Sequence, residues 1–343
     1  MIKAGIIGLG KMGLSHFAIL SAHPKTEMVA VCDISKLLLG NLERYTPAKS
    51  FSSYRKMIDT CELDCVVIST PTSSHAETVR YALERNIHVF VEKPFCLSPE
   101  EGRPLVELAA EQGLVNQVGY VNRFNGVFTE ARRLIRGGAI GPINHFSAEM
   151  YGGVVLKPQG GGWRGKRTEG GGCLYEYGSH CIDLVNYLLG LPRRVTGTVL
   201  KRAFSKDTDD AVYTTFLYDD GTTGQLMINW SDPTHRKASN LVSLWGAGGK
   251  ITVDKQECRV YLCNKEGLGE LRSGWNTLYN TSLAQPVDFY LRGEEYSAQL
   301  DHFIDCIETG QIENTSSFES AFQTDMVLDL IAQDGAQGRQ QHG

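Results

Sequence analysis

Over the first 120 residues, short and nearly continuous apolar runs alternate with stretches whose apolar positions recur at helical spacing. The runs at 3–7, 28–32, 65–69, 87–91 and 114–118 are rich in Val, Ile and Cys. They suit strands buried on both faces of a parallel sheet, as does a shorter one near Phe51. Helices are expected between them at 11–22, 35–44, 53–59, 74–85 and 98–112. Strands separated by helices of this length build βαβ units.

Beyond residue 120 the rhythm changes. A helix at 126–136 and a strand at 143–150 lead into a glycine-rich loop and a helix at 174–189. Strands dominate afterwards, at 194–202, 211–218, 222–230, 240–245, 250–253 and 259–263. Asp219-Asp220-Gly221 joins two of them and reads as a hairpin turn. The chain closes with an apolar stripe (Tyr296, Leu300, Phe303, Ile304, Ile307) ended by Gly310. Ser316 with Glu319 reads as a capping box opening a helix at 317–332. The expected architecture is α/β: an N-terminal dinucleotide-binding domain at 1–120, an α+β domain at 121–335 with a large open, mostly antiparallel sheet, and a frayed tail at 336–343.

Composition narrows the functional classes. The 343 residues are 42 % hydrophobic and 21 % charged, with a formal net charge of -5 and no basic blocks. That argues against binding nucleic acid through phosphate charge. No apolar run approaches the ~18–20 residues of a membrane helix, and the first residues lack the regions of a signal peptide. The nine cysteines form no CxxC pair and no zinc-ligand spacing, and they read as buried reduced thiols of a cytoplasmic protein without a metal site. Glycine is in excess at 37 residues, and thirteen of these lie between 137 and 178. That concentration marks the loop at 152–172 as a wall or cover over a binding site.

Gly8-Leu9-Gly10-Lys11-Met12-Gly13 is a G-x-G-x-x-G run placed after a strand and at the start of a helix. Asp33 follows 20 residues beyond Gly13, at the end of the second strand. In a βαβ unit this pattern binds a dinucleotide. Gly8 permits the turn, Gly10 lets the backbone approach a pyrophosphate, and Gly13 allows close helix packing. Asp33 can accept from a ribose 2′-hydroxyl and would repel a 2′-phosphate, so NAD is favoured over NADP. Lys11 and Met12 of the same turn, and Thr70, Pro71 and His75 at the end of the third long strand, are further candidate cofactor contacts.

Two segments could carry chemistry. Glu92-Lys93-Pro94 follows the 87–91 strand, where the Lys93 ammonium could stabilise an alkoxide. In the run 170–183, Glu176, His180 and Asp183 stand at i, i+4 and i+7, on one helix face, and a histidine flanked by carboxylates can act as a base near neutral pH. Structural readings, a capping acid and a core histidine, stand equally open from spacing alone.

These motifs together resemble the Gfo/Idh/MocA family of NAD(P)-dependent sugar and polyol oxidoreductases. The resemblance rests on GLGKMG, STPTSSH, EKP at 92–94 and GGGCLYEYGSHCIDLVNYLLG at 170–190. It implies an N-terminal Rossmann domain and a C-terminal domain whose open sheet is often used for oligomerisation, hence a homodimer or homotetramer. It makes Lys93 a catalytic and substrate-orienting residue and His180 the acid/base, with Glu176 at a position where many members carry aspartate. Glu92 belongs to the cofactor side, and Trp163 and Arg164 match a pair that contacts cofactor or substrate. Arg123 could line the cleft or form an interdomain salt bridge. Tyr151 is a further substrate candidate, and Lys157, Trp230 and His235 are weaker ones. The expected reaction is oxidation of a secondary hydroxyl of a sugar, glycoside or nucleotide-sugar, at carbon 3 by analogy, with NAD as hydride acceptor. A redox-neutral NAD-dependent hydrolase or lyase and a non-catalytic regulator that binds NAD and sugar are the alternatives.

Overall fold

The computed structural model describes residues 1–158, 162–264 and 271–341. The chain divides into two compact units, Met1–Val121 with Gln285–Phe322, and Asn122–Ala284 with Gln323–Gly343.

The first unit follows the alternating pattern closely. Its strands are β1 (Ile2–Ile7), β2 (Thr26–Cys32), β3 (Lys49–Phe51), β4 (Cys65–Ile68), β5 (His88–Val91) and β6 (Asn116–Val118). The helices between them are α1 (Lys11–Ala22), α2 (Lys36–Tyr45), α3 (Tyr54–Thr60), α4 (His75–Leu83) and α5 (Pro99–Glu111). All strand pairs are parallel, in the order β3-β2-β1-β4-β5-β6. The four residues of β4 are buried on both faces, which is why the run reads as continuously apolar. Strand order reverses between β1 and β4, and such a switch point opens a crevice at the strands' carboxyl ends.

A late helix also packs into this core. In α9 (Glu294–Thr309), Leu300, Phe303 and Ile304 are buried in one cluster with Ala4, Ile6 and Phe90. The Phe90 and Phe303 rings meet edge to face at 5.9 Å. Gly310 ends α9 with φ +69°, as its position predicts.

The expected capping box at Ser316 is absent. The Ser316 hydroxyl donates to the Val118 carbonyl (2.8 Å), and the Val118 amide donates to the Ser316 carbonyl (2.8 Å), adding this segment to β6. Ser317 caps the helix instead, accepting from the Ser320 amide at 3.3 Å. That helix, α10 (Phe318–Gln341), runs beyond the expected 332. Residues 342–343 of the expected tail lie outside the described residues.

The second unit packs α6 (Gly126–Arg136), α7 (Ser179–Leu189) and most of α10 on one face of an eight-stranded sheet. Its strands are β7 (Ile143–Tyr151), β8 (Arg194–Lys201), β9 (Ala211–Leu217), β10 (Thr223–Asn229), β11 (Ser239–Gly246), β12 (Gly249–Asp254), β13 (Glu257–Leu262) and β14 (Gly274–Tyr279). The order is β14-β13-β12-β11-β7-β10-β9-β8, antiparallel throughout except for the β7–β10 pair. The Asp219-Asp220-Gly221 turn forms the β9–β10 hairpin, with φ +86° at Gly221. β14 and the short α8 (Asn280–Leu283) were not anticipated. β14 is an edge strand with no fully buried side chain, so it lacks the apolar alternation that marks the others.

The sheet's other face carries a row of cross-strand neighbours. Trp275 pairs with Tyr261, Tyr261 with Lys250, Lys250 with Trp245, and Trp245 with His145. Tyr261 and Trp275 touch edge to face at 5.4 Å, and the Lys250 ammonium lies 4.6 Å from the Trp245 ring centroid. Trp275 is 60 % exposed, so this aromatic row faces outward.

Candidate active site

The site residues fall into two groups, one in each unit. In the first unit they gather at the β1/β4 switch point. Gly8 has φ +92°, and a Cβ there would lie 2.7 Å from the Ser69 carbonyl oxygen at the end of β4. At Gly13 a Cβ would lie 1.8 Å from the Gly8 carbonyl oxygen. The turn is thus closed on itself and on β4, and only glycine satisfies both positions. Gly10 is the opposite case. It caps α1, and nothing stands within 4 Å of where its Cβ would be. The first amides of α1, from Lys11 to Gly13, have no intrahelical acceptor by helix geometry, so this exposed backbone is suited to an anion.

Asp33, at the end of β2, braces the same turn. One carboxylate oxygen accepts from the Leu9 amide (2.6 Å) and the other from the Ser35 amide (2.7 Å). Each oxygen keeps lone-pair capacity for a ribose hydroxyl. Pro71 is exposed beyond β4, and the Thr70 hydroxyl accepts from Ser74 at 2.7 Å.

Glu92 and Lys93 follow β5, the strand beside β4, and the Lys93–Pro94 peptide is cis. Lys93 is half-buried. The Glu92 carboxylate meets His16 Nε2 of α1 at 2.7 Å and accepts from the Lys93 amide at 3.3 Å. Burial works to raise its pKa, but the His16 bond and the Lys93 charge carry it below the usual carboxylate value.

His75 is buried beneath this turn. Its Nδ1 lies 3.0 Å from the Pro94 carbonyl and its Nε2 3.0 Å from the Thr70 carbonyl. Burial pushes its pKa down, against the pull of these carbonyls. Its ring nitrogens meet backbone, so it ties the Thr70 segment to the lysine turn.

In the second unit, the expected helix at 174–189 starts with a π-helical turn, Leu174–Gly178, before α7. This changes the side-chain phase along the run that carries Glu176, His180 and Asp183. Asp183 is buried against Arg123, whose Nη2 and Nε reach it at 2.6 to 3.1 Å. Burial raises the Asp183 pKa and the guanidinium pulls against that shift. Arg123 is 4 % exposed, and this salt-bridge partner lies in its own unit.

Glu176 pairs with Arg164 (3.2 Å), whose guanidinium lies 4.6 Å from the Trp163 ring centroid. His180 is half-exposed on the first turn of α7. Tyr151 stacks on His235 at 5.6 Å, and His235 pairs with Asp232 at 3.2 Å. Trp230 is fully buried and donates to Asp210 (2.8 Å), which makes it a packing residue, and Lys157 is exposed. The loop at 152–172 is described except for 159–161.

Two residues of structural consequence lay outside the sequence reading. His16 is one. Asp209 is the other: its carboxylate accepts from the Leu174 amide (2.7 Å) and its carbonyl from the Cys173 amide (2.9 Å), pinning the start of the turn that carries Glu176. Neither has a local signature, because each partner is distant in sequence. Among the described residues, no group of three or more His, Cys, Asp or Glu could hold a metal ion.

The oxidoreductase family model with an NAD-binding Rossmann fold, GFO_IDH_MocA, matches residues 2–120, and the GFO/IDH/MocA C-terminal domain matches residues 128–252. The chain belongs to the Gfo/Idh/MocA family. It is 31 % identical over 267 residues to the 2,7-anhydro-N-acetylneuraminate hydratase of Escherichia coli, covering 75 % of this chain and 68 % of that one. It is 26 % identical to the NAD-dependent scyllo-inositol 2-dehydrogenase of Bacillus subtilis, covering 90 % and 87 %. A levoglucosan dehydrogenase solved with NADH and levoglucosan shares the fold, with TM-score 0.87, 23 % identity and coverage of 98 % and 97 %. The Gfo/Idh/MocA chain is accordingly an NAD-dependent oxidoreductase with sugar-related kin.

The observed turn fits that cofactor. Gly10 is open where a pyrophosphate needs room, α1 presents its amides there, and Asp33 supplies a carboxylate one strand away. Replacing Gly13 by alanine is expected to force the Gly8 carbonyl out of place and weaken NADH binding by about tenfold or more. Fluorescence titration of the folded variant with NADH measures this; an unchanged affinity would contradict the packing argument.

Proposed function

We propose that this chain oxidises a secondary hydroxyl of a sugar, glycoside or nucleotide-sugar, with His180 as base and Lys93 stabilising the alkoxide. The observation that carries the reading is Lys93 itself. It leaves the carboxyl end of β5, next to the strand that closes the glycine turn, and its backbone is tied to a buried carboxylate.

NAD, when bound, supplies the hydride acceptor. The residues that would hold it are the backbone of 8–13, Asp33 at the ribose, and Thr70, Pro71 and the Glu92–Lys93 turn further along, with Trp163 and Arg164 from the second unit. The imidazole of His180 takes the hydroxyl proton, while the Lys93 ammonium donates to the oxygen and offsets its developing charge. Hydride then leaves the carbinol carbon and the carbonyl forms. Glu176 and Tyr151 complete the proposed substrate contacts, while Arg123, buried against Asp183, anchors α7. Arg164 holds the Glu176 carboxylate and would fix its direction. Oxidation at carbon 3 of a hexose rests on analogy within the family alone.

The hydratase relative favours a second reading, in which the sugar is oxidised, loses a group and is reduced again with NAD retained. One NAD per chain carried through purification would support that cycle.

Kinetics with sugars, glycosides and nucleotide-sugars and either NAD or NADP test the residue roles. Alanine at His180 or Lys93 is expected to lower kcat by about 10² or more while NADH affinity stays near wild type. Near-normal turnover in either variant would sink the role given to that residue.

We also propose that the protein is a cytoplasmic homodimer or homotetramer joined through the outward row of Trp275, Tyr261 and Trp245. No disulfide joins the nine cysteines, which suits a reducing compartment. Among the described residues no helix is long and apolar enough to cross a membrane. Light scattering should find an oligomer, and Tyr261→Glu should dissociate it by placing an unpaired charge in the contact. A monomeric wild type would rule this face out as a self-contact.

A further inference from the structure

Lys93 has a role in the proposed reaction, but the groups that hold its backbone belong to other elements. We propose that His16 is a positioning residue: through Glu92 it fixes the turn from which Lys93 is presented, and so keeps the lysine in register with the cofactor helix. This rests on the reading of Lys93 as the residue that meets substrate.

The geometry is a short relay within the first unit. His16 is fully buried on α1, the helix that begins at the glycine turn. Its Nε2 meets one Glu92 oxygen at 2.7 Å, and the other Glu92 oxygen accepts from the Lys93 amide at 3.3 Å. His16 Nδ1 is buried and makes no hydrogen bond among the described residues, so Glu92 is the ring's polar commitment. The ring also sits edge-on to Phe90 at 5.2 Å, two residues before Glu92 on β5. Gly119 closes the remaining side: a Cβ there would lie 3.0 Å from the Glu92 carboxylate. The far end of the turn is held by His75 at the Pro94 carbonyl.

Segment 92–95 is therefore gripped by imidazoles from two helices, α1 and α4. The ionisable groups facing Glu92 are His16 from α1, Lys93 on its own turn, His75 from α4, and Tyr296 from α9 with Arg292 against its ring. A histidine that only filled space would be replaced by leucine without consequence for Lys93. A histidine that donates to Glu92 would not, because leucine leaves a buried carboxylate without its partner. Glutamine keeps an N–H donor on a side chain of similar reach.

The test compares wild type, His16→Leu and His16→Gln by hydrogen–deuterium exchange, NADH titration and steady-state kinetics on the sugar found by screening. His16→Leu is expected to speed exchange in 92–96 by about tenfold, with 26–32 and 65–68 unchanged. It should lower kcat by about tenfold at nearly constant NADH affinity, and His16→Gln should recover most of both losses. If His16→Leu does not fold, Glu92→Gln takes its place and should move exchange and kcat in the same direction. Wild-type exchange and kcat in the leucine variant, or glutamine failing as badly as leucine, would overturn the proposal. If the wild type oxidises no sugar, the reaction reading fails, and exchange in 92–96 still decides whether His16 holds the turn.

Discussion

The closure of the turn at 8–13 on the carboxyl ends of β1 and β4 is the constraint on which the first half of the site depends. The Gly8 carbonyl, Gly13 and the Ser69 carbonyl occupy one small volume, and no side chain fits between them. Because the turn cannot move outward, α1 starts at a fixed point and aims its amides into the crevice. Asp33 secures the same turn from β2 through the Leu9 amide. His16 then carries the position of α1 across to Glu92. The glycine turn, Asp33 and the turn that carries Lys93 are thus parts of one braced object.

The second unit uses a different device. Its helix opens with a π-helical turn whose first amides are held by Asp209, just before β9. One turn further on, Asp183 is locked to Arg123 and accepts from Thr324 of α10 at 3.3 Å. Breaking such a buried pair by removing one partner costs about 3–5 kcal/mol. The pair ties α7 to the segment before α6, and His180 stands half-exposed on the first turn of α7. Asp183 therefore serves as an anchor for α7, and Arg164 holds Glu176 from the loop.

The fold was legible where physics is local. Continuous β-branched runs marked strands buried on both faces, Asp219-Asp220-Gly221 marked a hairpin, and Gly310 marked a helix end. It was less legible where a residue's partner is remote. Ser316 looked like a cap because Glu319 follows it, yet Val118, 198 residues away, takes its hydroxyl. β14 escaped because an edge strand with no fully buried side chain has no apolar alternation to read. At the site, the glycine turn and Asp33 announced themselves by spacing. His16 read only as a residue on a helix with apolar neighbours, since its partner stands 76 positions on. The spacing of Glu176, His180 and Asp183 carried no sign of the π-helical turn, nor of Arg164 beside Glu176 and Arg123 beside Asp183.

The proposed reaction removes a hydride from a sugar and releases it as reduced cofactor. The most direct measurement is the stoichiometry of NADH formed to sugar consumed, with the oxidised sugar identified by NMR. One NADH per sugar and a ketone at the oxidised carbon are expected. Sugar converted without net NADH would contradict the proposed reaction and assign the same residues to a redox-neutral cycle.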